Sequence, residues 1–392
     1  MPEFLILLLP IAAASGWWAA KRSVRKEREK LRNAEIDPAY FRGLNYLVNE
    51  QPDKAIDVFV RMLEVNSETV EMHLALGSLF RRRGETDRAI RIHQNLIARP
   101  TLSSEQRSQA LMELGLDYMN AGLLDRAEAL FSELIDNNAL INTSLGNLKI
   151  IYQHEKDWQK ALDVTRRLEE IGEEDQSGDR SHFLCELADI ALQEGRDEDA
   201  KNYLKEAGET APEAMRPLLT QATLSLQQQD YTTALRLYQR VAETHPAFIG
   251  EFVNQMAECH RATGQEQAWL EWLKALYQRR RSLYVMLAIA DEIEHSEDGD
   301  EAIRFLNDEL AANPSLLGVQ RLIRMRLTQQ GSGKTTFLET LDALVQSMTD
   351  TQSAYQCHRC GFTTRTLHWQ CPGCRTWGTM LPTSENNGRY SE

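Results

Sequence analysis

A repeated alanine, spaced by the length of one helical hairpin, is the feature that most limits what this chain can fold into. Successive alanines are separated by 34, 38, 34, 39, 34, 34 and 34 residues. A 34-residue step is typical of helix–turn–helix units, which bury their apolar faces only by stacking on one another. The repeat alanines, each expected early in a second helix, are Ala55, Ala89, Ala127, Ala161, Ala200, Ala234, Ala268 and Ala302.

Other positions recur in the same register. Glycine or alanine lies twelve residues before the repeat alanine in six of the eight repeats, so two antiparallel helices can approach closely there. Lys149 and Met256 are the exceptions, and looser packing is expected around them. The larger side chains expected between helices, four residues after the alanines, are Phe59, Phe131, Leu204, Tyr238, Trp272 and Leu306. The residues expected at turns or helix ends are Gly84, Gly122, Gly195, Gly264, Pro212, Pro246 and Pro314.

This pattern resembles the tetratricopeptide repeat, in eight copies over residues 37–316. The resemblance implies an all-α superhelix whose first helices line a concave groove for peptides or helices of partner proteins. The alternative of an irregular helical bundle explains the regular spacing less well. Residues 317–350 are predicted as a helical linker region. Within the repeats, Cys185 and Cys259 are expected to be buried structural residues, and His93 is expected to be a core or rim histidine rather than a ligand.

The first twenty residues predict a membrane anchor. Residues 4–20 contain no charge and end in two tryptophans that suit the membrane interface. The basic segment at 21–36 follows directly, and by the positive-inside rule it places the rest of the chain on the cytoplasmic side. A cleaved signal peptide is the alternative, but such peptides carry their positive charge before the apolar stretch.

The charge of the chain limits its partners. Lysine and arginine total 44 against 58 acidic residues, which gives a net charge of -14. That balance argues against broad nucleic-acid binding. The run Arg81, Arg82 and Arg83 is either a solvated helix end or a patch that binds an acidic partner segment or lipid headgroups, and these arginines are the predicted partner-binding residues. The sequence shows no catalytic constellation, so the chain is predicted not to be an enzyme.

Four cysteines near the C-terminus predict a metal site at residues 351–381. Cys357 and Cys360 form one C-x2-C pair, and Cys371 and Cys374 form the other. Each pair aims two thiolates at one point, and two facing pairs complete a tetrahedral S4 site for zinc or a single iron. Disulfides are the alternative, and they are rare in a reducing compartment. His358 and His368 lie close to the cysteines but are surplus to a four-thiolate site. Several aromatic residues of this knuckle are expected to pack on the last repeat or on the helix at 335–348. The polar residues 382–392 are predicted to be a disordered tail.

The two cysteine pairs resemble those of rubredoxins, which hold iron, although the insert between the pairs is shorter here. The whole arrangement of anchor, basic segment, eight repeats and four-cysteine knuckle resembles the lipopolysaccharide assembly protein B family of Gram-negative bacteria. That resemblance implies a single-pass protein of the inner membrane, with iron favoured over zinc at the four cysteines.

The same resemblance implies an adaptor. It promotes proteolysis, by the membrane AAA+ metalloprotease, of the deacetylase that commits precursors to lipid A. It thereby regulates lipopolysaccharide synthesis, supports lipopolysaccharide assembly and acts with other inner-membrane proteins of assembly and regulation. The alternative function is a membrane-tethered rubredoxin-like electron carrier or redox sensor.

Overall fold

The structure is a computed structural model that describes residues 38–49, 51, 54–59, 70–172, 175–296, 299–330 and 336–383. The predicted anchor at 1–20 and the basic segment at 21–36 lie outside these residues. Within the described ranges, no helix is long and apolar enough to cross a membrane.

Most of the described residues are helical, and the helices follow one another as antiparallel hairpins. In chain order they are α1 (Pro38–Val48), α2 (54–59), α3 (Val70–Arg82), α4 (Thr86–Ile97), α5 (Ser104–Asn120), α6 (Leu124–Asp136), α7 (Ile141–Glu155), α8 (Trp158–Glu170), α9 (Ser177–Gln193), α10 (Asp197–Thr210), α11 (Met215–Gln227), α12 (Tyr231–Thr244), α13 (Val253–Ala262), α14 (Glu266–Arg279), α15 (Leu283–His295), α16 (Gly299–Ala312), α17 (Leu316–Gln330) and α18 (Thr336–Thr351). A 3-10 helix spans Pro246–Glu251 between α12 and α13.

The chain divides into two compact units, the first ending at Ile151 and the second beginning at Tyr152. The first unit contains hairpins whose cores include Phe59, Leu76 and Leu96. The second unit has a larger core, which runs from α11 to the C-terminal sheet. Each unit is thus stabilised mainly by apolar contacts between neighbouring hairpins.

The repeat alanines are where the helices of a hairpin come closest. Seven of the eight are fully buried, and Ala268 is the exception. The small residues twelve positions earlier have the same role, since a Cβ added to Gly115 would lie 2.6 Å from the ring of Phe131. The turn glycines are confirmed, because Gly84, Gly122 and the others have positive φ angles between 67° and 83°.

Repeat seven corrects the predicted register. Ala268 is exposed, while its neighbour Trp269 is fully buried together with Leu273. Trp272, predicted to fill the space between helices, is only partly buried. An indole removes far more apolar surface from water than an alanine methyl, so the helix turns Trp269 inward. Met256 is also fully buried, so its larger side chain is accommodated in the core, and looser packing around it stays a prediction.

A cation over a ring ties the two helices together in the first four hairpins. The basic residue directly before the repeat alanine lies 5.0 to 5.7 Å from the centroid of the ring eight residues earlier. Each such contact contributes roughly 0.5–1 kcal/mol at an exposed site. The pairs are Lys54 with Tyr46, Arg88 with Phe80, Arg126 with Tyr118, and Lys160 with Tyr152.

The C-terminal region adds one more hairpin and a small sheet. Helices α17 and α18 occupy the segment predicted as a linker, and Arg324 binds Asp342 between them at 3.1 Å. Strands β1 (Tyr355–Cys357), β2 (Thr363–Thr364) and β3 (Met380–Pro382) follow in the antiparallel order β2-β1-β3. Strand β3 reaches Pro382, one residue into the predicted disordered tail, and residues 384–392 lie outside the described ranges.

Close helix packing makes Gly115 a sharp test of the fold. Gly115→Ala should destabilise the first unit by about 1–3 kcal/mol, because the added methyl meets the fully buried ring of Phe131. Gly146→Ala is the matched control, since a Cβ there meets no atom within 4 Å. That control should stabilise its helix by about 0.5–1 kcal/mol. Chemical denaturation of both variants checks this, and equal effects would contradict the packing described.

Candidate metal centre

Two turns of the same backbone design present the four cysteines. The amide of Cys357 donates to the carbonyl of Phe362 at 2.8 Å, and the amide of Cys371 donates to that of Thr376 at 2.9 Å. Each bond runs from the first cysteine of a pair to the residue five positions later. The two C-x2-C turns therefore have equivalent shapes, and each directs its two thiol groups towards one point.

The residue after each second cysteine has a left-handed conformation. Gly361 has φ of 79°, and Arg375, in the equivalent position of the second turn, has φ of 56°. Glycine adopts this conformation freely and arginine does so at a cost, so the second turn is held by its surroundings. Gly373 lets the two turns approach, because a Cβ there would lie 3.3 Å from Sγ of Cys360.

The structure brings the four predicted sulfur ligands together. Sγ of Cys357 lies 3.7 Å from Sγ of Cys374, and Sγ of Cys360 lies 3.6 Å from that of Cys371. All four lie within 4.8 Å of one another. A tetrahedral site with metal–sulfur bonds of about 2.3 Å has sulfurs about 3.8 Å apart. The donor set and its size therefore fit one zinc or iron ion.

Hydroxyl groups favour thiolates at two of the four positions. Oγ1 of Thr379 lies 3.3 Å from Sγ of Cys357, and this contact, together with the backbone amides of the turn and the thiol of Cys371, lowers the pKa of Cys357 to about 5. Contacts with Thr376 lower the pKa of Cys374 in the same way. Metals bind the thiolate form of cysteine. The contacts with Thr379 and Thr376 therefore favour the form of Cys357 and Cys374 that binds a metal.

The histidines near the cysteines have other contacts. Nδ1 of His358 lies 3.0 Å from the carbonyl oxygen of Thr379. Nε2 of His368 lies 3.2 Å from Oγ1 of Thr366. Neither belongs to the four-cysteine cluster, in agreement with the prediction that both are surplus to an S4 site.

The metal domain packs against hairpins far from it in sequence. The ring of Trp377 stacks on His182 of α9 at 4.8 Å and meets Trp158 of α8 edge-on at 5.9 Å. Its Nε1–H donates to the side chain of Gln153 at 3.0 Å. Burial lowers the pKa of His182 to about 3, so this imidazole is neutral against the indole.

Arg216 of α11 stabilises the packing of the metal domain on the hairpins through its charge. Its side chain is 3% exposed and donates to Glu186 and Asp189 of α9, both at 2.8 Å. The guanidinium also lies 5.7 Å from the ring centroid of Trp369 and 5.8 Å from that of Trp377. One buried cation therefore joins two helices to both tryptophans of the metal domain.

Tyr355 of strand β1 makes a further contact between the metal domain and the rest of the second unit. Its hydroxyl donates to the carboxylate of Glu251 in the 3-10 helix, and burial together with this bond raises its pKa. Tyr355, Cys357, Cys371 and Met380 all belong to the core of the second unit.

Sequence reasoning placed these contacts wrongly. The aromatic residues of the knuckle were expected to pack on the last repeat or on the helix at 335–348, yet Trp369 and Trp377 pack on hairpins of the middle of the chain. It also missed Gln153, His182 and Arg216. Their partners in the metal domain lie more than 150 residues away, and only the basic residue Arg216 within an otherwise uncharged helix α11 was a signal.

The arginine patch has a different setting. Arg81 binds Glu113 and Asp117, both at 2.7 Å, and Asp117 also contacts the fully buried His93 at 2.5 Å. Arg81 is therefore engaged inside the first unit. Arg83 pairs with Glu85 at 2.9 Å, whereas Arg82 is exposed. Partner binding by these arginines stays a prediction.

The two cysteines outside the cluster are buried, as expected. Burial raises the pKa of Cys185 to about 12 and that of Cys259 to about 11. Such thiols are poor nucleophiles and poor metal ligands at neutral pH. His93 is fully buried as well, which confirms it as a core residue.

Fold and site together define a tetratricopeptide-repeat protein that carries a rubredoxin-type metal domain. Residues 355–382 match the family described as rubredoxin metal binding domain, and residues 41–103 and 181–213 match tetratricopeptide repeat families. Among solved structures, that of MamA has a TM-score of 0.33 at 19% identity and covers 43% of this chain and 93% of its own.

Relatives of nearly the same length give the family. Lipopolysaccharide assembly protein B of Escherichia coli K12 is 36% identical over 387 residues, which covers 97% of this chain and 98% of that protein. The protein of the same name from Haemophilus influenzae is 33% identical over 395 residues, with 98% and 99% covered. The chain belongs to the lipopolysaccharide assembly protein B family, which confirms the resemblance seen in the sequence.

Proposed function

We propose that this chain is a membrane-anchored cytoplasmic adaptor in lipopolysaccharide assembly. It promotes proteolysis of the lipid A-committing deacetylase by the membrane AAA+ metalloprotease. The proposal rests on the near full-length similarity to proteins named for lipopolysaccharide assembly. Residues 1–20 supply the anchor and residues 21–36 the basic segment on the cytoplasmic side.

The observation that carries an adaptor role is the metal domain packed on the helical hairpins. Trp377 and Trp369 lie against α8, α9 and α11 rather than in a separate module. Partner recognition needs a surface with a fixed shape, and this packing fixes the metal domain relative to the hairpins of the second unit. A partner can therefore bind both at once.

The four cysteines would hold the metal that this packing requires. Cys357, Cys360, Cys371 and Cys374 would ligate one iron or zinc ion, with iron favoured by the family resemblance. The bound ion supplies folding free energy to a module too small to have a sufficient core of its own. Its role in the adaptor is structural.

The half-life of the deacetylase tests the proposal. In cells that lack the endogenous protein, pulse-chase should show a stable deacetylase, and expression of the full chain should shorten its half-life severalfold. The effect should require the AAA+ protease. A chain that begins at residue 21 should restore little of it, because the anchor keeps adaptor and protease at high mutual concentration. If expression of the full chain left the half-life of the deacetylase unchanged, the proposal would be wrong.

One observation favours the alternative of an electron carrier or redox sensor. Cys360 is exposed, so one edge of the metal site is open to a redox partner. Replacing iron by redox-inert zinc separates the two functions. If zinc-loaded protein shortens the deacetylase half-life as iron-loaded protein does, the site is structural.

A further inference from the structure

A cavity lies where the metal domain meets the hairpins of the second unit. Its volume is about 250 Å³. Helices α11, α12 and α13, the 3-10 helix and the loop before Trp369 all contribute to it. The residues that line it are Leu219, Thr220, Thr223, Tyr238, Glu251, Phe252, Gln255, Leu367 and Trp369. Since Leu367 and Trp369 form one wall, the cavity exists only while the metal domain is packed in place.

The lining combines aromatic rings with a single charge. Tyr238 and Phe252 stack at 5.6 Å, and Trp369 supplies a third ring. Glu251 is the one charged residue among those that line the cavity. It is exposed, so the cavity opens to solvent beside its carboxylate. Aromatic faces and a carboxylate both attract cations, and here they face one space.

A hydrogen bond holds the carboxylate of Glu251 in position. The hydroxyl of Tyr355 donates to Oε1 of Glu251, which fixes one oxygen of the carboxylate. Thr223 adds a hydroxyl that lies 3.4 Å from the hydroxyl of Tyr238. Trp369 already accepts one cation in this protein, since the guanidinium of Arg216 lies 5.7 Å from its ring. The rings therefore suit a charged group that also needs apolar contact along its stem.

We propose that this cavity binds a lysine or arginine side chain of a partner protein, with its aliphatic stem against Leu219, Leu367 and Trp369 and its charged head at Glu251. That the ligand belongs to a protein segment rests on the proposed adaptor function. An acidic side chain would be repelled by Glu251, and a purely apolar one would cover that carboxylate without offering it a hydrogen-bond donor. The volume of about 250 Å³ accommodates one such side chain and not a folded element.

Binding of small probes to the full chain tests the cavity directly. Nα-acetyl-arginine methylamide and its lysine counterpart are titrated against protein in a neutral detergent, with binding followed by saturation-transfer NMR. For ligands of this size we expect dissociation constants of about 1 mM. The uncharged citrulline and norleucine analogues should bind at least about fivefold more weakly, because they lack the charge-assisted bond.

Two variants and a matched control localise the binding. Glu251→Gln should weaken binding of the arginine probe about tenfold and leave binding of the citrulline probe unchanged. Glu258→Gln removes the same charge from an exposed position of α13 and should change neither. Thr223→Phe places a bulky ring at the lining of the cavity without altering charge, so it tests the site even if Glu251→Gln weakens the packing of Tyr355.

The proposal is overturned if the charged and uncharged probes bind equally, or if Glu251→Gln and Glu258→Gln weaken binding to the same extent. Equal binding by Thr223→Phe and the unaltered chain would overturn it too. These measurements use no deacetylase or protease. An inactive adaptor with an intact cavity and an active adaptor with no probe binding are therefore distinguishable results.

Discussion

Removing both carboxylates that bind Arg216 should lower the free energy of unfolding of the second unit by about 3 kcal/mol, at the lower end for a broken buried ion pair. In the unaltered chain the Arg216 side chain is 3% exposed, and in the Glu186→Gln/Asp189→Asn variant its guanidinium has no negative partner. It would then leave its place between helix α9 and the two tryptophans. Denaturation with guanidinium chloride, followed by tryptophan fluorescence, measures this free energy of unfolding. Trp158, Trp369 and Trp377 report on it because they lie in the contact that Arg216 stabilises.

Two further variants separate burial from charge. Glu206→Gln breaks an ion pair with Arg166 in which the side chains are 43% and 40% exposed, so it should cost at most about 0.5 kcal/mol. Arg216→Met should cost less than the double variant, because Glu186 and Asp189 can be hydrated once the arginine is gone. If the double variant were as stable as Glu206→Gln, Arg216 would not be the residue that holds the metal domain.

The helical repeats and the cysteine cluster could be predicted because both depend on spacing along the chain. Alanines at a 34-residue step set where helices meet, and a C-x2-C turn sets the direction of two thiols through local hydrogen bonds. Cys357 and Cys371 share the same bond to the residue five positions on, so each turn forms its shape from its own residues.

The position of the metal domain could not be predicted, because it depends on contacts between distant residues. Trp377 finds Gln153 and His182 on helices separated from it by about half the chain. Their sequences carry no periodic signal of that contact. The predicted register of repeat seven was wrong for a related reason. Spacing selected Ala268, whereas the burial of Trp269 decided which face turned inward.

Loss of one proposed metal ligand should have the second large effect. In Cys371→Ser, the metal domain should lose its ion and its structure, because Cys371 is fully buried and lies in the core of the second unit. The helices should remain, since each hairpin packs mainly on its neighbours. We therefore expect nearly unchanged circular dichroism at 222 nm, together with a thermal midpoint for the second unit lowered by about 10 °C.

That drop is expected because Tyr355, Trp369 and Trp377 would no longer cover α9, α11 and the 3-10 helix. Cys185→Ala removes a buried thiol outside the cluster and should leave one metal ion per chain by elemental analysis. The Cys371→Ser protein should also lose the binding of the arginine probe, because Leu367 and Trp369 form a wall of the cavity. If it kept its metal, its thermal midpoint and its probe binding, the four-cysteine site would not be what holds this part of the protein together.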